Sequence, residues 1–179
     1  MKYIKTPIEG LFEIEPQIYG DHRGYFFESF REDDFREKVD NVSFVQDNQS
    51  FSQPGVLRGI HFQVGKYAQG KLVRVISGKV LDVAVDLRPE SKTFGKWHSV
   101  LLDGEKQNMF YVPPGFGHGI YVIEEAIFSY KCTNYYHKES ERSILWDDPT
   151  LNIKWNSSAP KLSEKDTNGM TFEEFKDNV

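Results

Sequence analysis

Two apolar runs, Lys71-Leu-Val-Arg-Val-Ile76 and Lys79-Val-Leu-Asp-Val-Ala-Val-Asp-Leu87, meet at Ser77-Gly78. Both are rich in β-branched residues, and a glycine between them can take the positive φ of a tight turn, so the pattern predicts a β-hairpin. Outward from it, similar short runs recur at Leu11–Ile14, Gly24–Phe30, Ser43–Ser50, Gly59–Gln63, Trp97–Leu102, Met109–Val112, Gly119–Ile123 and Ile127–Thr133, with turn residues between them. Many short strands in one chain of this size predict an all-β sandwich or barrel. Helical signals are few and peripheral. Asp33-Asp34 leads into Phe35–Val39, and Thr171 with Glu174 has capping-box spacing before Phe175. The polar, turn-rich stretch from Asp147 to Asn168 is expected to wrap the sandwich rather than join its sheets.

Composition agrees with that class. The 179 residues suffice for one substantial core, burying roughly 70% of the unfolded surface. No repeat, low-complexity tract or linker divides them, so one domain over residues 1–179 is expected. With 14 Phe, 9 Tyr and 3 Trp, the chain carries an aromatic surplus suited to pleated surfaces and stacking pockets. The net charge of -5 comes from acids and bases spread along the chain, which offers no basic stripe to a nucleic acid. Cys132 is the only cysteine, which excludes an intramolecular disulfide and a thiolate zinc site and suits a reducing cytoplasm. Nowhere do 18 apolar residues run together, so no membrane span is expected.

Polar residues set among apolar ones are the candidates for chemistry, because an unpaired charge or imidazole on an inward face costs free energy. Gln46 and Asn48 lie two apart and point to one strand face, either to orient a polar ligand or as solvated edge amides. In Gly55-Val-Leu-Arg-Gly-Ile-His-Phe-Gln63, the Arg58 guanidinium suits a phosphate and the His61 imidazole a general base. A regular strand would put those two on opposite faces, so sharing a site requires a bulge, with Gly59 the natural place for it. Lys71 either presents a cation inward, to a phosphate or a developing enolate oxygen, or is a solvated strand end. His118 follows the rigid turn Pro113-Pro-Gly-Phe-Gly, as a ligand contact or simply a polar turn residue. Phe128, Tyr130 and Cys132 share one strand face. If it is the inward face, the Tyr130 hydroxyl needs a partner or serves as a proton donor.

In order along the chain, Gly20-Asp-His-Arg-Gly-Tyr-Phe26, Gln46-Asp-Asn48, Gly55–Gln63, Ala68-Gln-Gly-Lys-Leu-Val-Arg74, Asp82-Val-Ala-Val-Asp86, Pro114-Gly-Phe-Gly-His-Gly119, Tyr130-Lys-Cys-Thr-Asn-Tyr-Tyr136 and Leu162-Ser-Glu-Lys-Asp166 resemble the dTDP-4-dehydrorhamnose 3,5-epimerase family. The resemblance covers Ile14 to about Asp166. It implies a cupin-like jelly-roll β-sandwich with short peripheral helices, acting as a homodimer whose partner's N-terminal region helps close each nucleotide site. It also implies catalytic roles: His61 as base oriented by Asp166, Tyr130 as acid on the other face of the sugar, and Lys71 at the enolate oxygen. Nucleotide and phosphate contacts fall on Arg23, Glu28, Gln46, Asn48, Arg58, Lys71, His118, Glu141 and Lys165, with Tyr136 stacking on the base. Gly117 and Ile120 depart from the alanine and phenylalanine common in the family, which touches pocket shape alone.

The implied reaction inverts C3 and C5 of dTDP-4-dehydro-6-deoxy-D-glucose, on the way to dTDP-L-rhamnose. It needs a base, an acid across the ring and a cation at the ketone oxygen, and no redox cofactor, because the ketone is the electron sink. A single-site 3- or 5-epimerase or ketoisomerase on a related nucleotide-linked 4-ketosugar needs the same groups. A non-catalytic nucleotide-sugar binding module would have no use for His61, Tyr130 and Asp166 together. Metal-binding cupins use a His-x-His pair, whereas this chain reads His61-Phe-Gln63, so no metal is expected.

Overall fold

The structure is a computed structural model and describes residues 1–178. Eleven strands and three short helices follow in order: β1 (Lys2–Lys5), β2 (Phe12–Glu15), β3 (Tyr19–Asp21), β4 (Gly24–Phe26), α1 (Glu32–Lys38), β5 (Gln46–Ser52), β6 (Leu57–Gln63), β7 (Lys71–Asp86), β8 (Trp97–Asp103), β9 (Met109–Val112), β10 (Phe116–Cys132), β11 (Glu141–Ser143), α2 (Glu164–Thr167) and α3 (Phe172–Lys176). All strand pairs are antiparallel.

The expected hairpin at Ser77-Gly78 does not form. Lys71–Asp86 is one strand, paired along its length with β10, which likewise merges the two runs expected at Gly119–Ile123 and Ile127–Thr133. Gly78 does take a positive φ of 83°, and a Cβ there would lie 1.9 Å from the Glu125 carbonyl oxygen. The glycine therefore permits a bulge and a close backbone crossing instead of a reversal. The bulge changes which parity faces inward: Val73 and Val75 before it, and Val80 and Ala84 after it, all join one core cluster.

Because β7 and β10 each bend through such irregularities, they serve two sheets. Their Lys71/Cys132 ends pair with β9 and β5, and their Asp86/Phe116 ends with β8 and β6. The inner faces enclose Val73, Val75, Val80, Ala84, Phe110, Val122 and Phe128, as in a β-sandwich core. The outer faces are covered too. Phe35 of α1 packs with Phe12, Leu72 and Tyr111 on one sheet, and Leu151, Ile153, Trp155, Phe172 and Phe175 cover Leu81, Val83 and Val85 on the other. The segment from Asp147 thus wraps the sandwich as expected. Among the described residues no helix is long and apolar enough to cross a membrane.

Strand ends differ from expectation where local signals are weak. The run at Gly24 stops at Phe26, β5 begins only at Gln46, α1 starts one residue early at Glu32, and β1 carries charges at both ends. The Thr171/Glu174 capping box is present, with both reciprocal hydrogen bonds. A second box, Ser163 with Asp166, opens α2; the same spacing in the sequence marks it.

Candidate active site

Between the two sheets opens a cavity of about 520 Å³. Arg58 and His61 both line it, although they lie three residues apart on β6. The predicted bulge brings them together: His61 pairs with His118 and Arg58 with Ile120, so β6 carries one residue more than β10 over that interval. Gly59 has φ +124°, and a Cβ on it would meet the Gly119 Cα at 2.5 Å. Only glycine fits there.

Asp166, from the first turn of α2, is 3% exposed and lies beneath His61. Its Oδ1 accepts from the Gly59 backbone N–H at 3.0 Å, and its Oδ2 from the Ser163 hydroxyl at 2.5 Å and the Ser163 N–H at 3.3 Å. His61 Nε2 approaches Oδ1 to 2.8 Å, yet the direction is oblique and this buried nitrogen has no aligned hydrogen-bond partner. The imidazole and the carboxylate are in close contact beside the bulge. Burial alone would raise the Asp166 pKa, but His61, Ser163 and the Gly59 N–H outweigh it and hold the carboxyl well below the usual carboxylate range.

Tyr130 stands on the half of β10 that belongs to the opposite sheet, so imidazole and phenol reach the cavity from different walls. Phe128, Tyr130 and Cys132 do share the inward face, and all three line the cavity. The Tyr130 hydroxyl has no hydrogen-bond partner among the described residues, unlike the buried Tyr111, which donates to Asp40 at 2.6 Å. Burial pushes the Tyr130 pKa up, with the neighbouring Cys132 adding to the shift, so the phenol holds its proton. Lys71, paired in register with Cys132, turns inward with Val73 and Val75. Among the described residues its ammonium has no hydrogen bond or ion pair, and burial lowers its pKa. An unpaired cation and an unpaired phenol in one cavity are what fold stability alone would select against.

At the cavity's mouth, Arg58 bonds only to Ser52 Oγ, at 3.1 and 3.2 Å, leaving guanidinium donors for an anion. Lys165 pairs with Glu141, whose other oxygen accepts from the Tyr136 hydroxyl at 2.9 Å. Burial would raise the Glu141 pKa, yet these two contacts hold it low. The Tyr136 ring is 54% exposed, free to cover a flat group. Gln46 and Asn48, on the edge strand β5, are half-buried, line the cavity and are joined by an amide hydrogen bond of 3.0 Å. His118 sits on the fully buried Asp82, Nε2 lying 2.9 and 3.0 Å from its two oxygens. Arg23 and Glu28 do not join this cavity. Arg23 is paired with Asp21 on the exposed β3–β4 hairpin, beside Tyr19, Tyr25 and Phe26, each more than 60% exposed. Gln69 and Ser163 line the cavity without having been given a role; for Ser163 the capping-box spacing is the signal. Among the described residues no three His, Cys, Asp or Glu side chains gather as metal ligands.

Fold and cavity together define a cupin-like β-sandwich with an imidazole, a phenol and an ammonium around a polar pocket, groups of the kind that suit isomerisation beside a carbonyl. Residues 5–174 match the family model described as dTDP-4-dehydrorhamnose 3,5-epimerase. The curated enzyme of that name from Shigella flexneri is 51% identical over 96% of each chain. The crystal structure of dTDP-6-deoxy-D-glucose-3,5-epimerase from Legionella pneumophila in complex with dTDP-4-keto-L-rhamnose is 50% identical, with TM-score 0.92 over 96% of this chain and 93% of that one. A 3'-monoepimerase from Streptomyces bikiniensis in complex with dTDP-quinovose is 34% identical, with TM-score 0.91 over 98% and 90%. This chain belongs to the dTDP-4-dehydrorhamnose 3,5-epimerase family of isomerases.

Proposed function

We propose that the chain inverts both C3 and C5 of dTDP-4-dehydro-6-deoxy-D-glucose, giving dTDP-4-dehydro-L-rhamnose, through side chains of one catalytic unit spanning residues 1–179. The observation that carries the mechanism is the His61–Asp166 pair on one wall facing the unpaired Tyr130 phenol on the other, with the Lys71 ammonium between the same sheets.

A proton α to a ketone becomes removable when the developing enolate oxygen meets a fixed cation. Lys71 supplies it, held by β7 in a site where burial strengthens its field. With Nε2 against Asp166, Nδ1 is the nitrogen left for the substrate proton; Asp166 sets that tautomer and stabilises the imidazolium that forms. Tyr130, kept protonated by its surroundings, returns a proton to the opposite face, which is what inversion requires. The ketone accepts the electron pair and returns it as the new C–H bond forms; each inversion leaves an imidazolium and a phenolate, and His61 gives its proton to solvent while Tyr130 recovers one from it before the next carbon reacts.

Arg58 and Lys165 are cations lining the cavity and suit a diphosphate, with the His118 ring as a further contact, Gln46 and Asn48 orienting the nucleotide and Tyr136 stacking on its base. Arg23 and Glu28 enter this reading from a second copy. The exposed aromatic hairpin that carries Arg23, with Glu28 just beyond it, is built to leave its own chain, and a homodimer would bring both to the partner's pocket mouth. Single inversion is the second reading, favoured by the likeness to the monoepimerase. Turnover in deuterated water separates the two: double inversion labels C3 and C5, and label at one carbon only would sink the proposal in favour of the second reading.

A further inference from the structure

Gln63 is the side chain standing where a metal-binding cupin would place a ligand, and the reaction leaves it unused. It is 7% exposed and follows His61 by two residues on β6. Its amide is fully committed to backbone. Nε2 donates to the Tyr67 carbonyl at 2.7 Å and the Tyr135 carbonyl at 3.2 Å, and Oε1 accepts from the His137 N–H at 2.7 Å. Two of these contacts bracket Tyr136. Two further glutamines hold the same loop: Gln69 Nε2 donates to the Asn134 carbonyl at 2.7 Å, and Gln46 Oε1 accepts from the Tyr136 N–H at 3.2 Å. The His137 ring stacks flat on Tyr67, centroids 3.7 Å apart, tying the loop to the turn that Gln63 also grips.

A loop of four residues with an exposed aromatic ring would lose conformational freedom on binding a flat ligand, and that loss weakens affinity. Prior anchoring of its backbone removes the loss. We propose that Gln63 is a positioning residue for nucleotide recognition: its amide fixes the backbone either side of Tyr136, so that the ring is preformed as a base-stacking platform, independently of proton transfer at His61. The proposal rests on the reading of Tyr136 as that platform.

The test compares wild type with Gln63→Met, which keeps length and loses all three hydrogen bonds, and with Gln63→Glu, which sets a carboxylate oxygen against two carbonyls. Steady-state turnover of the dTDP-4-ketosugar and calorimetric binding of dTDP are measured for both, for Tyr136→Ala and for the double variant Gln63→Met/Tyr136→Ala. Loss of a base stack weakens binding by roughly 10–100-fold in Tyr136→Ala. The Gln63 variants should raise KM and the dTDP Kd by roughly 3–30-fold with kcat within about twofold, and the double variant should bind no worse than Tyr136→Ala alone. Unchanged dTDP binding in the Gln63 variants beside a weakened Tyr136→Ala would overturn the Gln63 role, as would losses that add in the double variant. Wild-type binding by Tyr136→Ala would instead overturn the platform reading itself. Hydrogen exchange on the wild-type protein decides the case even if the Gln63 variants misfold: the His137 amide should be protected before any nucleotide is added, and free exchange there rules the clamp out.

Discussion

Asp166→Asn keeps the shape of the buried side chain and removes its charge. All four contacts to the carboxylate come from donor-type groups: the Gly59 N–H and His61 Nε2 on Oδ1, and the Ser163 hydroxyl and N–H on Oδ2. An asparagine has one acceptor oxygen, so whichever way it turns, its NH₂ faces two former donors. With the NH₂ on one side the Gly59 hydrogen bond is lost, and on the other the two from Ser163; such a loss at a charged, 3% exposed group lowers stability by ~1.5–3 kcal/mol. With the NH₂ toward His61, it donates to Nε2, forces the ring proton onto Nδ1, and blocks the nitrogen that takes the substrate proton. The expected loss in kcat is ~10²–10⁴-fold, with KM within about threefold. Linkage sets the pH signature. The folded carboxyl titrates below its unfolded value near 3.9, so its stabilisation is fully present above about pH 5 and fades as pH falls through the folded pKa. The carboxylate's share of the stability gap between wild type and variant should therefore shrink as pH falls below about 5. Solvent-deuterium exchange gives the rate and chemical denaturation against pH the stability. A destabilised Asp166→Asn that turns over within twofold of wild type would refute the reasoning and leave Asp166 as the anchor of α2 alone.

Tyr130→Phe should leave folding intact, since the ring packs on Phe128 at 5.8 Å and the hydroxyl has no partner; inversion should fall ~10²–10⁴-fold while His61 still exchanges the substrate proton, seen as label in unreacted substrate. Lys71→Met should abolish turnover and raise the melting temperature, by ~2–4 °C per kcal/mol of relieved desolvation. The gain should narrow as pH rises toward ~10.4, because the unfolded chain binds the Lys71 proton more tightly than the folded one; a melting temperature below wild type at neutral pH would contradict this. Gly78→Ala sets a Cβ against the Glu125 carbonyl at a positive φ and should cost at least ~2 kcal/mol in denaturant unfolding, a loss absent if the position were a free hairpin tip.

Gly78 also shows how far the sequence could be read. Its positive φ was legible, but a reversal and a bulge demand the same glycine, and only the 16-residue pairing of β7 with β10 tells them apart. The bulge at Gly59 was legible as a condition: strand parity sets Arg58 and His61 on opposite faces, and sharing one cavity requires an extra residue between them. Arg58, His61, Lys71 and Tyr130 were recognisable because each is a polar group among apolar strand residues, whereas Tyr136, Glu141 and Lys165 came only with the motif resemblance, and β1, with lysine at both ends, gave no such contrast. Asp166 needed the motif resemblance, since nothing local says that a short helix some hundred residues downstream packs its cap carboxylate under His61. The grip of Gln63 on the Tyr136 loop was invisible for the same reason: its partners are backbone atoms, which carry no residue-specific signal.

The most direct test of the central claim is turnover of dTDP-4-dehydro-6-deoxy-D-glucose by the wild-type protein in deuterated water, with product and residual substrate read by NMR. Base, acid and cation acting on both sides of the ketone should place deuterium at C3 and at C5 of an inverted product, and a His61→Ala variant should place it at neither. Label confined to one carbon, or full labelling in the absence of His61, would contradict the account.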